Sequence, residues 1–329
     1  MSRLPITLAC GPYDRTRALA TGRVEVEGVD LRYVTLEPEE AFFRMARHGE
    51  FEVSELSLST YLITLARHAP FVAVPVFPSR MFRHSGIYVH VGSGIGQPAD
   101  LRGARVGVAE YQLTANVWLR GILEEHHGVP VTSVRYRTGG LNQPGRVEKT
   151  AVDLPGGLDL EPIAPGTTLS ELLATGAIDA LYSPRAPDSY LARDPRVRRL
   201  FTDPRAEEIA YYRRSGIFPI MHVVVIRRDV YEANRWLARS LTKAFVAAKE
   251  LALTELRRTA ALSVTLPWLL AELQATTELL GDDFWPYGLA RNEQVLTVFA
   301  RYCHAQGLVD RRLRPDELFA PESLDEVLI

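Results

Sequence analysis

Cysteine is scarce in this chain: of 329 residues only Cys10 and Cys303 are cysteines, too few and too far apart for a disulfide framework. Both are expected to be buried, reduced thiols. An excess of charge of one sign is missing too. The 38 Lys plus Arg are balanced by 40 Asp plus Glu, so the positive field that neutralises a phosphate backbone is absent and no nucleic-acid partner is expected. No stretch reaches the roughly 18 uninterrupted apolar residues of a membrane span, so no membrane partner is expected either. The opening LPITLACG puts a small residue before Cys10 in the manner of a lipoprotein signal, but Pro5 interrupts the apolar run and Asp14, Arg15 and Arg17 follow at once. With no signal-peptide core, the chain reads as cytoplasmic. Also missing are GxGxxG after the first strand, GxxxxGK[ST], HExxH, CxxC and GxSxG, which removes support for dinucleotides, P-loop nucleotides, zincin-type metal and the hydrolase elbow.

What is present is a 47% hydrophobic chain with a sizeable core, arranged as short apolar runs alternating with helical patterns. Pro5–Cys10, Val29–Leu36, Phe51–Leu56 and Phe71–Phe77 read as strands, with helices over Pro38–His48 and Leu58–His68. A Gly-rich connection, GSGIG at 92–96, leads into a second alternation: strand Ala104–Ala109, helix Thr114–Glu125, helix Leu169–Thr175, strand Ile178–Tyr182. No helix follows GSGIG directly, so it reads as a linker and not as a phosphate loop. Residues 139 to 168, rich in Gly and Pro, read as loops around one or two short strands. After strand Met221–Arg227 come three helical segments, Glu232–Leu256, Leu266–Leu280 and Asn292–Gln306. Alternation of this kind predicts mostly parallel sheets covered by helices, in two α/β lobes: residues 1–92 plus 221–329, and residues 93–220. Open α/β sheets bind ligands beyond the carboxyl ends of their strands, and clefts between lobes are favoured pockets.

Strand-end residues are therefore the candidates. Tyr13, Asp14 and Arg15 follow the first strand; Glu55, Ser57 and Ser59 the third; Ser79, Arg80, Arg83 and His84 the fourth; Glu110, Tyr111, Gln112 and Thr114 the strand Ala104–Ala109. Thr114 also reads as an N-cap that leaves a positive helix end free. Together with Arg80 and Arg83 this describes a site for a small polyanion, most naturally a carboxylate gripped through two parallel hydrogen bonds. The alternatives are ordinary: Arg80 and Arg83 as an exposed turn paired with acids, Ser57 and Ser59 as helix caps, His84 as a structural histidine, and His126 and His127 as complements to a helix C-terminus. His222, at the start of a strand and at the second lobe crossing, is either a proton-transfer group or a satisfied core histidine.

The segments YDRTRAL (13–19), VEGVDL (26–31), FEVSELSLSTY (51–61), PVFPSRMFRHSGIYV (75–89), LRGARVGVAEYQLTANVWLRGIL (101–123), GIFPIMHVVVIRRDVY (216–231) and WPYG (285–288) together resemble the 4,5-dihydroxyphthalate decarboxylase family. The resemblance implies a two-lobed, type II periplasmic-binding-protein-like α/β fold with substrate in the cleft between lobes. It also implies cofactor-independent decarboxylation of a dihydroxylated aromatic dicarboxylate to protocatechuate. In that chemistry Arg80, Arg83 and Thr114 are expected to bind the anion, and His222 or His84 to do the acid–base work. Glu55, Asp14 and Tyr111 are expected to hydrogen-bond the phenols. Tyr13, Arg15, Ser57, Ser79 and Gln112 complete the expected substrate set. No cofactor is expected, although a divalent metal held by His84, His222 and Glu55 or Asp14 is an alternative that no spacing rule demands. Two rival functions share the fold: a small-carboxylate binding protein, and another cofactor-free lyase or dehydratase. The tryptophans, Trp118, Trp236, Trp268 and Trp285, read as core, and the apolar C-terminal helices leave room for a homo-oligomer.

Overall fold

The computed structural model of the chain describes residues 3–146, 154 and 157–324. The first elements in order are β1 (Leu4–Cys10), α1 (Asp14–Ala20), β2 (Val29–Thr35), α2 (Pro38–His48), β3 (Val53–Ser57), α3 (Leu58–Arg67) and β4 (Phe71–Val74). Next come β5 (Ile87–His90), β6 (Arg105–Val108), α4 (Thr114–His127), β7 (Arg135–Thr138), β8 (Leu160–Pro162), α5 (Leu169–Thr175), β9 (Ala180–Tyr182), α6 (Asp188–Leu191), β10 (Val197–Arg199) and α7 (Pro204–Ser215). The last are β11 (His222–Arg227), α8 (Arg228–Ala233), α9 (Trp236–Leu256), α10 (Leu269–Leu280) and α11 (Glu293–Ala305).

Two compact units result: Met1–Arg80 with Ile220–Thr297 and Leu313–Ile329, and Met81–Pro219 with Val298–Arg312. The first holds a sheet of order β2-β1-β3-β11-β4, the second a sheet of order β10-β5-β9-β6-β7-β8. The first division falls at residue 80 and not at 92, because β5 hydrogen-bonds antiparallel to β9 and β10 and so belongs to the second sheet. A stretch near the C-terminus, residues 298–312, joins the second unit as well. There Phe299 stacks on Trp118 at 5.1 Å, and Gln306 Oε1 accepts from Arg120 Nε at 2.8 Å.

Local sequence explains most elements. Helix α2 begins with Pro38, carries Glu39 and Glu40 in its first turn, and ends at Gly49 in the left-handed region at φ 56°. Strand β3 is buried throughout, and β11 is buried over Val223–Ile226, so both suit the middle of a sheet. The departures also have local causes. Neither sheet is wholly parallel, since β11 returns antiparallel between β3 and β4. Strand β4 stops at Val74, before Pro75, which has no N–H to donate. The single helix expected over Glu232–Leu256 is two helices, α8 and α9, parted at Asn234 with its φ of −144°. Helix α7 has no apolar stripe, only Tyr211 being buried, so periodicity did not reveal it. Within the stretch 139–168, residues 147–153, 155 and 156 lie outside the described residues. Trp118 is core, whereas Trp236 and Trp268 are exposed at 43% and 75%. Among the described residues no helix is long and apolar enough to cross a membrane.

Candidate active site

The third position of β3 puts a carboxylate where no water reaches it: Glu55 is fully buried. It lies in the middle of the first sheet, flanked by β1 and β11, and both neighbours supply partners. From the end of β1, Gly11 N–H donates to Oε2 at 2.9 Å and the Cys10 thiol donates to the same oxygen at 3.4 Å. From β11, His222 Nδ1 lies 2.6 Å from Oε1. His222 pairs across the ladder with Ser57, so Glu55 and His222 are diagonal neighbours on one face. The fourth contact comes from Tyr13, whose hydroxyl donates to Oε1 at 2.8 Å.

Four donors aimed at one carboxylate decide its charge. Burial pushes the Glu55 carboxyl up, but the charge and hydrogen bond of His222, with those from Gly11 and Tyr13, more than offset it and hold it below its ordinary value. Beside this anion the other acids stay protonated. Burial, then the Glu55 charge, push the Tyr13 phenol and the Cys10 thiol well up. His222 therefore faces this carboxylate through Nδ1, and Nε2 is the nitrogen turned away from it. That nitrogen has no partner among the described residues, and the side chain keeps 16% exposure. The ring is steadied by Phe42 of α2, packed edge-on at 4.7 Å.

The turn after β1 is built to bring Tyr13 back onto Glu55. A Cβ on Gly11 would stand 2.6 Å from the Tyr13 ring, so no other residue fits without moving it. The Gly11 carbonyl is fixed by the Tyr33 hydroxyl at 3.0 Å. Arg15, the second residue of α1, lays its guanidinium against two rings, 4.3 Å from the centre of Tyr13 and 4.3 Å from that of Trp285. Its Nε donates to the Pro78 carbonyl at 2.5 Å and its Nη1 to Asp14 Oδ1 at 3.1 Å.

The other expected residues divide between the units. In the first, Ser57 and Ser59 are buried with their hydroxyls 3.2 Å apart, and the Ser79 carbonyl accepts from the Met221 and His222 N–H groups. Arg80 does not present a free guanidinium. It is buried, donates to the Pro286 carbonyl at 2.8 Å and to Asn292 Oδ1, and burial pushes it down to about 9. In the second unit Arg83 is buried too, contacts Met81 Sδ at 3.3 Å, and is pushed down to about 10 by burial despite Glu208. His84 sits against Phe201 and Tyr211 with no hydrogen-bond partner on either nitrogen among the described residues. Burial, then the charges of His127, Arg214 and His126, push it down to about 4, which makes it a neutral core ring there. Tyr111 is core as well: its hydroxyl donates to the Gln306 carbonyl at 3.3 Å and Arg120 stacks on its ring at 3.7 Å. Gln112 donates to Glu110, which Arg146 also holds at 2.5 Å. Thr114 is the first residue of α4 and Leu113 occupies the N-cap, so the expected hydroxyl cap does not form.

Sequence reasoning missed Trp285 as a site residue, and Gly11 and Cys10 as its scaffold. Gly11 between a strand end and Tyr13 was the available signal. Among the described residues no group of three His, Cys, Asp or Glu is placed to hold a metal ion. His222 and Glu55 meet as a hydrogen-bonded pair.

These sheets define a periplasmic-binding-protein-like fold of type II. The chain is similar to the periplasmic aliphatic sulphonate binding protein SsuA from Escherichia coli, with a TM-score of 0.55 at 14% identity over 97% of this chain and 98% of that one. It is also similar to the alkanesulfonate-binding protein SsuA from Xanthomonas axonopodis pv. citri, with a TM-score of 0.52 at 14% identity over 98% of each chain. At such identities the likeness is one of fold. No family model matches. In sequence the chain is 46% identical over 330 residues, the full length of both, to a 4,5-dihydroxyphthalate decarboxylase from Comamonas testosteroni. It is 45% identical over 214 residues, 65% of this chain and 83% of the relative, to one from Pseudomonas putida. The chain belongs to the 4,5-dihydroxyphthalate decarboxylase family.

Proposed function

We propose that this protein is a carboxy-lyase that converts 4,5-dihydroxyphthalate to protocatechuate and CO2, with His222 as the ring-protonating acid. The observation that carries the assignment is the buried Glu55 carboxylate 2.6 Å from His222 Nδ1, which leaves Nε2 as the ring nitrogen for the substrate. In the substrate each carboxylate is para to a hydroxyl. Loss of the phenolic proton pushes an electron pair to the carbon bearing CO2−, and Nε2–H delivers a proton there. The carbon–carbon bond then breaks, its electron pair restores the aromatic ring and the phenolate regains its proton, so one proton is consumed per CO2 released. The ring itself is the electron sink, and the reading calls on no cofactor.

Glu55 acts through His222 in this scheme and is a positioning residue, since all its contacts are already made. Asp14 Oδ2, without a hydrogen-bond partner among the described residues, is the proposed acceptor for the phenol. The reading extends to phthalate degradation in the cytoplasm, a reducing setting that suits the free, buried Cys10 and Cys303.

The test is incubation with 4,5-dihydroxyphthalate in D2O. CO2 release with one deuterium on the ring carbon that lost the carboxylate supports ring protonation. Binding of the substrate with no CO2 and no protocatechuate would sink the reading.

A further inference from the structure

We propose that Arg15, with Trp285 set against it, is the anchor for the carboxylate that the substrate keeps, and that Arg80 positions this anchor. The proposal rests on the decarboxylase reading for the identity of the substrate and on geometry for the rest.

In an ortho-dicarboxylate the carboxylate retained stands on the ring carbon next to the one that loses CO2. The anion grip and the proton donor must therefore be neighbours. Tyr13 touches both: its ring lies 4.3 Å from the Arg15 guanidinium and its hydroxyl shares Glu55 Oε1 with His222.

Donor accounting points the same way. A guanidinium has five N–H groups. In Arg15 the Nε–H is used by Pro78 and one Nη1–H by Asp14, while Nη2 has no partner among the described residues. Three N–H groups remain, one on Nη1 and both on Nη2, enough to offer a pair to the two oxygens of a carboxylate. The side chain is 16% exposed, so part of it is open to a ligand. Asp14 sits close by, but its Oδ1 is shared between the Arg15 backbone N–H at 2.7 Å and Nη1, which leaves part of the Arg15 charge for an anion.

The rings preorganise the guanidinium, and the chain fixes the rings. Trp285 Nε1–H donates to the Phe77 carbonyl at 2.9 Å, and Gly288 N–H to the Pro75 carbonyl at 2.8 Å. Arg80 ties down the same segment through the Pro286 carbonyl and Asn292. Lys249, on α9, holds Asp283 at 2.9 Å. Arg80 is thus a positioning residue that acts through Trp285.

The experiment combines steady-state kinetics on 4,5-dihydroxyphthalate with calorimetric titration of phthalate, a dicarboxylate that lacks the hydroxyls and cannot turn over, and of catechol, which lacks the carboxylates. For Arg15→Gln the expected result is a rise in both KM and the phthalate Kd by a similar factor, about 30-fold or more, with catechol binding unchanged and kcat within about threefold. Arg15→Lys should recover part of the loss. Trp285→Phe should raise KM severalfold with little effect on kcat. Unchanged phthalate affinity in both folded Arg15 variants overturns the proposal. So does a kcat loss at unchanged phthalate Kd, which would make Arg15 part of the proton chemistry. Should the wild type release no CO2, the decarboxylase reading fails, and the phthalate titrations still decide the anchor.

Discussion

His222 Nδ1 and Glu55 Oε1 stand 2.6 Å apart on adjacent antiparallel strands, and the carboxylate of that pair is inaccessible to solvent. A carboxylate so enclosed fixes the orientation of the ring it faces. His222→Gln should therefore lower kcat by about 10²–10⁴-fold while leaving substrate affinity close to wild type. Glu55→Gln, of equal size, should move the alkaline limb of the kcat profile to lower pH as well as lower kcat, because a protonated ring loses its counter-charge. Measured pH–rate profiles for both variants check this; an unaltered profile in Glu55→Gln would remove Glu55 from its positioning role.

Acid stability should be set by the second unit as well as by this pair. His84 is held at about 4 in the fold against an ordinary 6.5, by burial and by His127, Arg214 and His126. A histidine with a depressed folded value contributes stability that is complete above pH 6.5 and is lost as pH falls toward 4. The loss over that window is about 3 kcal/mol. Glu55, depressed below 4.5, adds a loss that sets in only below its ordinary value. Thermal melts of His84→Phe should show a flatter profile between pH 6.5 and 4 than wild type.

Gly11→Ala tests the turn. Its Cβ would enter the Tyr13 ring at 2.6 Å, so Tyr13 must move off Glu55. Expected are a destabilisation of about 1–3 kcal/mol and a fall in activity, read by denaturant titration and kinetics.

Arg80→Ala should behave as a structural loss. It leaves Asn292 Oδ1 without its buried donor and the Pro286 carbonyl with only the one from Asn292 Nδ2 at 3.1 Å, which costs about 2–4 kcal/mol, and it loosens the segment carrying Trp285. A lower Tm together with a raised KM is expected. A raised KM at unchanged Tm would return Arg80 to direct anion binding.

Several members of the candidate network were legible because strand-end residues of an α/β sheet are few. Glu55, Tyr13, Asp14 and Arg15 came from that rule and His222 from its place at a strand start and a lobe crossing, and the structure joins all of them in one network. His84 and Tyr111 came from the same rule and proved to be core, because a short polar or amphipathic segment gives no sign of which face it turns inward. Arg80 and Arg83 look like an exposed cationic pair in sequence, yet both are buried and Arg80 donates to the Pro286 carbonyl and Asn292, far along the chain.

By itself the sequence determined the α/β class, the order of most elements and the absence of nucleotide motifs, since hydrophobic period, Gly and Pro punctuation and composition are local properties. Only the tertiary structure decided that β11 inserts antiparallel beside β3. That insertion brings residue 222 to residue 55 across a separation of 167 positions, and no local pattern encodes a pairing register between distant strands. The same holds for Arg15 and Trp285: a guanidinium becomes an anchor when distant rings and carbonyls fix it, and those contacts arise from packing.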